Sequence, residues 1–126
     1  MTYPSHLKYT KDHEWVDIAD DRATVGITSY AQEQLGDVVY VELPDVGANV
    51  TQGESFGTIE SVKAVSELYG PVTGQVVEVN ASLEDNPEAV NTDPYSSWMI
   101  RLKLSNPSEA AALLDANQYA SLVGQG

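Results

Sequence analysis

The sequence predicts a mainly β fold built as a single domain over residues 1–126. Two observations support this prediction, and a third limits the chemistry of the chain. The 126-residue chain is long enough to bury a proper core and too short for two comfortable domains. Short apolar runs with strand-like patterns recur along it, separated by Gly, Pro and Asp. The chain contains no cysteine, which excludes disulfides, thiolate zinc sites and a cysteine nucleophile.

Strand-like patterns account for most of the chain up to residue 104. Residues 14–18 alternate, and Asp20 and Asp21 make a turn before the apolar pattern resumes over 22–27. The further strand-like runs are 38–43, 56–62, 64–69, 76–79 and 98–104. The polar stretch 82–90, which contains a proline, predicts a loop or a single helical turn.

The first interruption of the β pattern is a short helix predicted over residues 29–35. Ser29 is its expected N-cap, and Gln32, three residues later, is the matching capping-box partner. Gly36 suits the left-handed conformation that commonly ends a helix. The helix therefore separates the second predicted strand from the third.

The second interruption is a C-terminal helix predicted over residues 107–123. Asn106 suits its N-cap, Pro107 its first position and Glu109 its third. Leucines and alanines after them can form one apolar stripe, which indicates a helix packed on the sheet rather than one that binds a partner.

The charge of the chain limits its partners. Nineteen acidic residues stand against six basic ones, for a net charge of −13. Binding to nucleic acid or to anionic lipid needs clustered cations, so we expect no nucleic acid and no membrane among the partners. No secretory or membrane-spanning pattern is visible, so a cytoplasmic location is expected. The acidic excess either steers basic protein partners or only maintains solubility.

One lysine stands out from this acidic background. Lys63 is the only basic residue between Arg22 and Arg101, and two strand-like runs converge on it. The stretch 58–69 has no Gly, Pro, Asn or Asp, although a tight hairpin ordinarily uses them. A lysine at such a tip suits a covalently attached arm, because its amine can be acylated and its stem is flexible. A plain surface lysine is the alternative.

The sequence offers no machinery for independent catalysis. His6 and His13 are the only imidazoles, and neither lies in a nucleophile or metal-binding motif. No glycine-rich phosphate loop and no EF-hand spacing is present. We therefore expect no catalytic residues, no metal site and no enzyme activity of its own.

The residues around Lys63 are similar to a known motif. Glu60, Ser61, Val62, Lys63 and Ala64 together resemble the lipoylation motif of glycine cleavage system H proteins. The resemblance extends in order over nearly the whole chain, through His13-Glu14-Trp15, Gly26-Ile27-Thr28, Tyr30-Ala31-Gln32, Leu35 to Pro44, Gly53-Glu54, Gly70 to Gly74, Val77 to Asn80, Asn91 and Asp93-Pro94-Tyr95.

The resemblance implies a fold and a function. The fold is a lipoyl-domain-like flattened barrel or sandwich, a barrel-sandwich hybrid, with the modified lysine at a hairpin tip. Lys63 would carry lipoate in amide linkage, attached by lipoate-attaching enzymes that recognise Glu60, Ser61, Val62 and Ala64. The arm would then shuttle the aminomethyl group of glycine between glycine decarboxylase (P-protein), the tetrahydrofolate-dependent aminomethyltransferase (T-protein) and dihydrolipoyl dehydrogenase (L-protein).

Two acidic residues are candidates for holding the loaded arm, because a carboxylate is the natural partner of a cationic amine. Glu67 lies four residues beyond Lys63, on the returning strand. Glu14 lies in the His-Glu-Trp motif, beside Trp15, an aromatic side chain that could shield the site. We expect Glu14 to be the stronger candidate.

Some features leave alternatives open. Only two residues separate Tyr95 from Trp98, where the family usually has a longer, glycine-containing loop. Val62 and Ala64 argue against a biotin-accepting domain, which would be expected to flank its lysine with Met. An H-like protein that relays or stores lipoyl groups, and a scaffold that is never lipoylated, are the remaining alternatives to the carrier.

Overall fold

The computed structural model describes residues 3–124, which form nine strands in two sheets. The strands are β1 Lys8–Tyr9, β2 Glu14–Ala19, β3 Arg22–Ile27, β4 Val38–Glu42, β5 Asn49–Val50, β6 Ser55–Ser61, β7 Val65–Tyr69, β8 Gly74–Val79 and β9 Ile100–Leu104. The larger sheet has the order β1-β2-β3-β9-β8-β5, and the smaller one the order β4-β6-β7. Neighbouring strands are antiparallel throughout.

The two sheets share one hydrophobic core, so the fold is a sandwich rather than a closed barrel. Val25 and Ile100 of the larger sheet lie in the same buried cluster as Val41 and Ile59 of the smaller one. Alternation along the strands supplies these inward residues, since successive side chains point to opposite faces. The mainly β prediction is confirmed. The two-residue strands β1 and β5 were not predicted, because two residues are too few to show a pattern.

The helix predicted over residues 29–35 is confirmed as α1, Ser29–Leu35. The prediction of its N-cap is wrong by one residue. Thr28 has the extended backbone of a cap, and its hydroxyl accepts a hydrogen bond from the amide of Ala31. Gly36 ends the helix with a φ of 79°. Adjacent Thr and Ser are both good N-caps, so composition alone does not decide between them.

The C-terminal helical region is divided. Pro107–Ala112 form a 3-10 helix, and a second helix, α4, covers Ala116–Leu122. The chain between them is extended, because Leu114 exchanges two backbone hydrogen bonds of 2.8 Å with Tyr9 of β1. Asn106 takes the predicted N-cap position of the 3-10 helix, with Pro107 in its first turn, but its side chain makes no capping hydrogen bond. Helix α4 has a capping box formed by Asp115 and Gln118.

The polar stretch 82–90 contains more helix than predicted. It begins with α2, Ser82–Asp85, and runs into α3, Ala89–Thr92. The short spacing before Trp98 is met by a tight turn, in which the buried Ser97 donates to the carbonyl oxygens of Ala89 and Asp93. No helix within residues 3–124 has the length and apolar character needed to cross a membrane.

A second buried cluster lies beneath α4. Tyr119 stacks on Tyr9 with ring centroids 4.9 Å apart and contacts Tyr3 edge-on at the same distance. Leu7 and Trp15 complete this cluster. It joins the C-terminal helix to β1 and β2. Of the apolar stripe predicted for the tail, Leu113, Leu114 and Val123 pack against the buried clusters, whereas Leu122 is 51% exposed.

Candidate functional site

Lys63 lies at the tip of the β6–β7 hairpin, as the converging strands predicted. Ser61, the last residue of β6, is buried, and its hydroxyl accepts hydrogen bonds from the amides of Lys63 and Ala64, both at 3.2 Å. The amide of Ser61 donates to the carbonyl oxygen of Ala64 at 2.8 Å. A serine hydroxyl therefore closes the turn, which explains how the tip forms without Gly, Pro, Asn or Asp.

The tip is also tied to the neighbouring strand. The amide of Val62 donates to the carbonyl oxygen of Asp37 at 3.0 Å, just before β4 begins. The side chain of Lys63 is exposed and passes over Gly36, where an added Cβ would lie 3.1 Å from Cε of Lys63. Gly36 therefore ends α1 and, because it has no side chain, also leaves room for the side chain of Lys63. Within the described residues Lys63 makes no ion pair.

A cleft of about 170 Å³ opens between the β6–β7 hairpin and α1. Its walls come from the segment leading into β2, from α1 and from the free edge of β7. The lining residues are Asp12, His13, Glu14, Ile27, Ala31, Gln34, Leu35, Ile59, Ser66, Glu67 and Leu68. Lys63 does not line the cleft itself, but its side chain passes over Gly36, the residue that follows Gln34 and Leu35. Five of the eleven lining side chains are apolar, so an aliphatic chain would find apolar contacts in this space.

The two acids singled out from the sequence line this same cleft. Glu14 is buried, with only 2% of its surface exposed, whereas Glu67 is exposed on β7. Asp12 lines the cleft as well, and sequence reasoning missed it. It lies two residues before Glu14, on the segment that leads into β2, and its spacing from Lys63 gave no signal. Three carboxyl groups therefore border one small space.

The environment of Glu14 shifts the pKa of its carboxyl group in two opposite directions. The hydroxyl of Thr10 donates to Oε1 at 2.7 Å, and the amide of Tyr69 approaches Oε2 at 3.4 Å. Burial raises the pKa of Glu14 from its ordinary 4.5 to about 8, while these hydrogen bonds lower the pKa in part. A cation entering the cleft would stabilise the ionised carboxylate, since the described residues pair none with it.

A hydrogen-bonded chain supports the wall of the cleft next to α1. Nδ1 of His13 lies 2.8 Å from the hydroxyl of Tyr119, which lies 2.8 Å from the hydroxyl of Thr28. The His13 ring also packs on Tyr30, with centroids 4.8 Å apart. Burial lowers the pKa of His13, so its imidazole is neutral at pH 7. Helix α4 is thereby connected to the cleft, although it does not line it.

The expectation that Trp15 shields the site is wrong. Its indole nitrogen donates to the carbonyl oxygen of Pro94 at 3.0 Å, and the ring packs in the tyrosine cluster. Neighbouring residues of a strand point to opposite faces, so Glu14 and Trp15 diverge. The aliphatic side chains of Leu35, Ile59 and Leu68 line the cleft instead.

The described residues show no arrangement of three or more His, Cys, Asp or Glu side chains that could hold a metal ion.

The sandwich and its hairpin-tip lysine define a lipoyl-domain-like protein. The chain belongs to the glycine cleavage H-protein family, because the model of that family matches residues 7–125.

Individual relatives match the sequence of this chain over all or nearly all of their length. The glycine cleavage system H protein of Staphylococcus epidermidis is 52% identical over 126 residues, which cover 99% of this chain and 100% of the relative. That of Brevibacillus brevis is 55% identical and covers 98% of each. The crystal structure of a glycine cleavage system H protein from Mycobacterium marinum superimposes with a TM-score of 0.90 at 45% identity, covering 97% of this chain and 99% of that one.

Proposed function

We propose that this protein is the lipoyl carrier of the glycine cleavage system, with lipoate attached to Lys63. The observation that supports this most directly is the position of Lys63 on a tip closed by Ser61, on a hairpin whose returning strand lines a cleft bordered by acids. An exposed amine on an ordered turn is accessible to an attaching enzyme, and the adjacent cleft can receive an aliphatic arm. Membership in the H-protein family supports the same assignment.

The proposed carrier acts as one domain over residues 1–126 and works without catalytic residues of its own. When bound, lipoate would supply a dithiolane ring that opens to accept the one-carbon cargo, and the dithiol left after transfer would be reoxidised to the ring. The partners are glycine decarboxylase, the tetrahydrofolate-dependent aminomethyltransferase, dihydrolipoyl dehydrogenase and the lipoate-attaching enzymes. A cytoplasmic location is part of the proposal, since the dithiol form of the arm persists best in a reducing compartment.

Replacing Lys63 with arginine tests the attachment site. Lys63→Arg keeps the positive charge but removes the amine, so we expect no lipoate on the variant and no carrier activity, with an unchanged fold. After co-expression with attaching enzymes, an intact mass would show the modification on the unaltered protein alone. An acylated lysine resists trypsin, so modified protein should yield one uncut peptide from Ala23 to Arg101.

Lys103→Arg is the matched control, because Lys103 is an exposed lysine on β9, outside the motif, and its replacement should leave lipoylation intact. Lipoate on the Lys63→Arg variant would refute the assignment. An unmodified original protein under conditions that lipoylate another family member would favour the scaffold alternative.

We further propose that Glu14, Glu67 and Asp12 hold the aminomethyl-loaded arm in the cleft. The cargo is a protonatable amine that is lost if water reaches it. Glu14 lies at the buried end, where an ammonium group would find an acceptor with little competing water. An exposed ion pair contributes only about 0–1 kcal/mol, so the buried Glu14 should dominate over Glu67.

The rate of aminomethyl loss tests this arrangement. Glu14→Gln should speed hydrolysis of the loaded carrier about tenfold, which corresponds to about 1.4 kcal/mol of lost protection. Glu67→Gln should give a smaller increase. The exposed Glu84 on α2 lies away from the cleft, so Glu84→Gln is the control and should behave as the original protein. An unchanged rate in the Glu14→Gln, Glu67→Gln double variant would exclude the proposal.

A further inference from the structure

Exposed apolar side chains gather around the lysine tip. Within residues 3–124, six large hydrophobic side chains are substantially exposed, and four of them lie on the elements that meet at Lys63. We call these four the tip patch: Val39, Tyr40, Val62 and Val65. Val62 and Val65 flank the lysine and are 68% and 66% exposed. Grouped apolar exposure of this kind marks an interaction surface more often than scattered exposure does.

The register of the smaller sheet places part of the patch on one face. Tyr40 of β4 pairs with Glu60 of β6, and Glu60 pairs with Val65 of β7, so the three side chains share the outer face. A β-bulge between Val38 and Tyr40 leaves Val39 as the extra residue. Val39 and Tyr40 are therefore both exposed, although alternation would bury one of them.

Acidic side chains border the patch. Glu60 lies within it, Asp37 precedes it on the chain, and Glu42 lies one row behind Tyr40 on the same face. Lys63 is the only basic residue between Arg22 and Arg101, so no other cation on these strands offsets the acids. A complementary partner presents an apolar centre with lysine or arginine side chains at its edge.

We propose that the tip patch is the docking surface for the enzyme that acylates Lys63, a partner with an apolar, basic-rimmed surface around its active site. The proposal rests on Lys63 being the lipoylation site. Only that enzyme must bring its reacting atoms to Nζ itself. Enzymes that act on the dithiolane work at the far end of the arm, at a distance from the tip.

The reaction explains why docking must cover the tip. The free amine of Lys63 attacks the carbonyl carbon of an activated lipoyl group, an acyl adenylate or a thioester. A C–N bond forms, the bond to the leaving group breaks with its electron pair, and the surplus proton on nitrogen passes to a base of the enzyme. An apolar seal over Val62 and Val65 excludes water, which would otherwise hydrolyse the activated group.

The test is the rate of lipoylation by a limiting amount of attaching enzyme, with its activated acyl donor. The variant for this test carries two substitutions, Tyr40→Thr and Val65→Thr. Threonine is β-branched and suits an exposed strand, so the fold should be kept. We expect its kcat/KM to fall at least tenfold, chiefly through KM. Val46→Thr is the matched control, because Val46 is 63% exposed but lies in the loop after β4, outside the patch.

A charge variant gives an independent measurement. Glu42→Gln should lower kcat/KM severalfold at low salt and reduce its salt dependence. Glu54→Gln, just before β6 begins and at the end away from Lys63, should do neither. Lipoylation of the original protein at Lys63 verifies the proposed function in the same assay. Unchanged lipoylation of the double variant would overturn the docking proposal. Slower loading of the pre-lipoylated variant by glycine decarboxylase, with lipoylation unchanged, would also overturn it.

Discussion

Glu14 is the residue whose environment departs furthest from that of an ordinary surface acid. Its carboxyl group is buried at the end of the cleft, accepts a hydrogen bond from Thr10 and lies beside Asp12. The pKa of about 8 means that an empty cleft favours the neutral acid at pH 7. An ammonium group in the cleft would reverse that preference, so capture of a cationic cargo is coupled to release of a proton from Glu14.

The raised pKa of Glu14 predicts a pH-dependent stability. The folded protein holds this proton up to about pH 8, whereas the unfolded chain releases it near 4.5. The contribution is fully present below pH 4.5 and is lost as the pH rises through 8. Between pH 5 and pH 7, this single group should lower the free energy of unfolding by about 2–3 kcal/mol.

Urea unfolding of Glu14→Gln against the original protein measures this effect. The glutamine is neutral at every pH, so the variant should lack that part of the pH dependence and gain in relative stability toward pH 8. Glu84→Gln, with an exposed side chain, should retain the full dependence. Parallel pH profiles for all three proteins would show that Glu14 titrates normally.

At the scale of elements, the hairpin tip depends on one buried hydroxyl. Ser61 accepts two amide hydrogen bonds, and the backbone of Val62 ties the tip to the residue before β4. The lysine is consequently presented from an ordered turn and not from a mobile loop. The same tie brings the bulged part of β4 next to Lys63, which places two elements distant in sequence around one amine.

Removing the Ser61 hydroxyl should loosen the tip. Ser61→Ala leaves the amides of Lys63 and Ala64 without their acceptor, and we expect a loss of about 1 kcal/mol in the free energy of unfolding. Lipoylation of Lys63 should slow severalfold, because the turn is less ordered. Ser55→Ala, at the exposed start of the same strand, is the control. Equal lipoylation rates for both variants would show that the hydroxyl does not order the tip.

At the scale of the whole molecule, the net charge of −13 creates a field that favours approach of basic surfaces. Association with partner enzymes should slow as salt rises, because the screening length is about 10 Å at 0.1 M. Dissociation should change less. Stopped-flow association with glycine decarboxylase, one of the proposed partners, measures both rates, with sucrose at matched osmolality as the uncharged control. A salt-independent association rate would assign the acidic excess to solubility alone.

The strands and the first helix could be predicted because their signals are local. The pattern of residues 22–27 coincides with β3. Gly36 ends α1 at the predicted residue, with the positive φ that glycine adopts readily. The division of the C-terminal helix could not be predicted, since its cause is the pairing of Leu114 with Tyr9, more than a hundred residues away.

The sequence by itself determined the mainly β class and the acidic character, and it selected Lys63 through the resemblance of residues 60–64 to a lipoylation motif. It also indicated Glu14, from the His-Glu-Trp motif, and Glu67, from its spacing of four residues from Lys63. Only the tertiary structure decided that these acids share a cleft with Asp12, that Trp15 faces away from it, and that Val39 and Tyr40 are exposed beside the tip. The physical reason is that strand register, bulges and sheet packing set which distant side chains meet, and none of these is encoded in a local pattern.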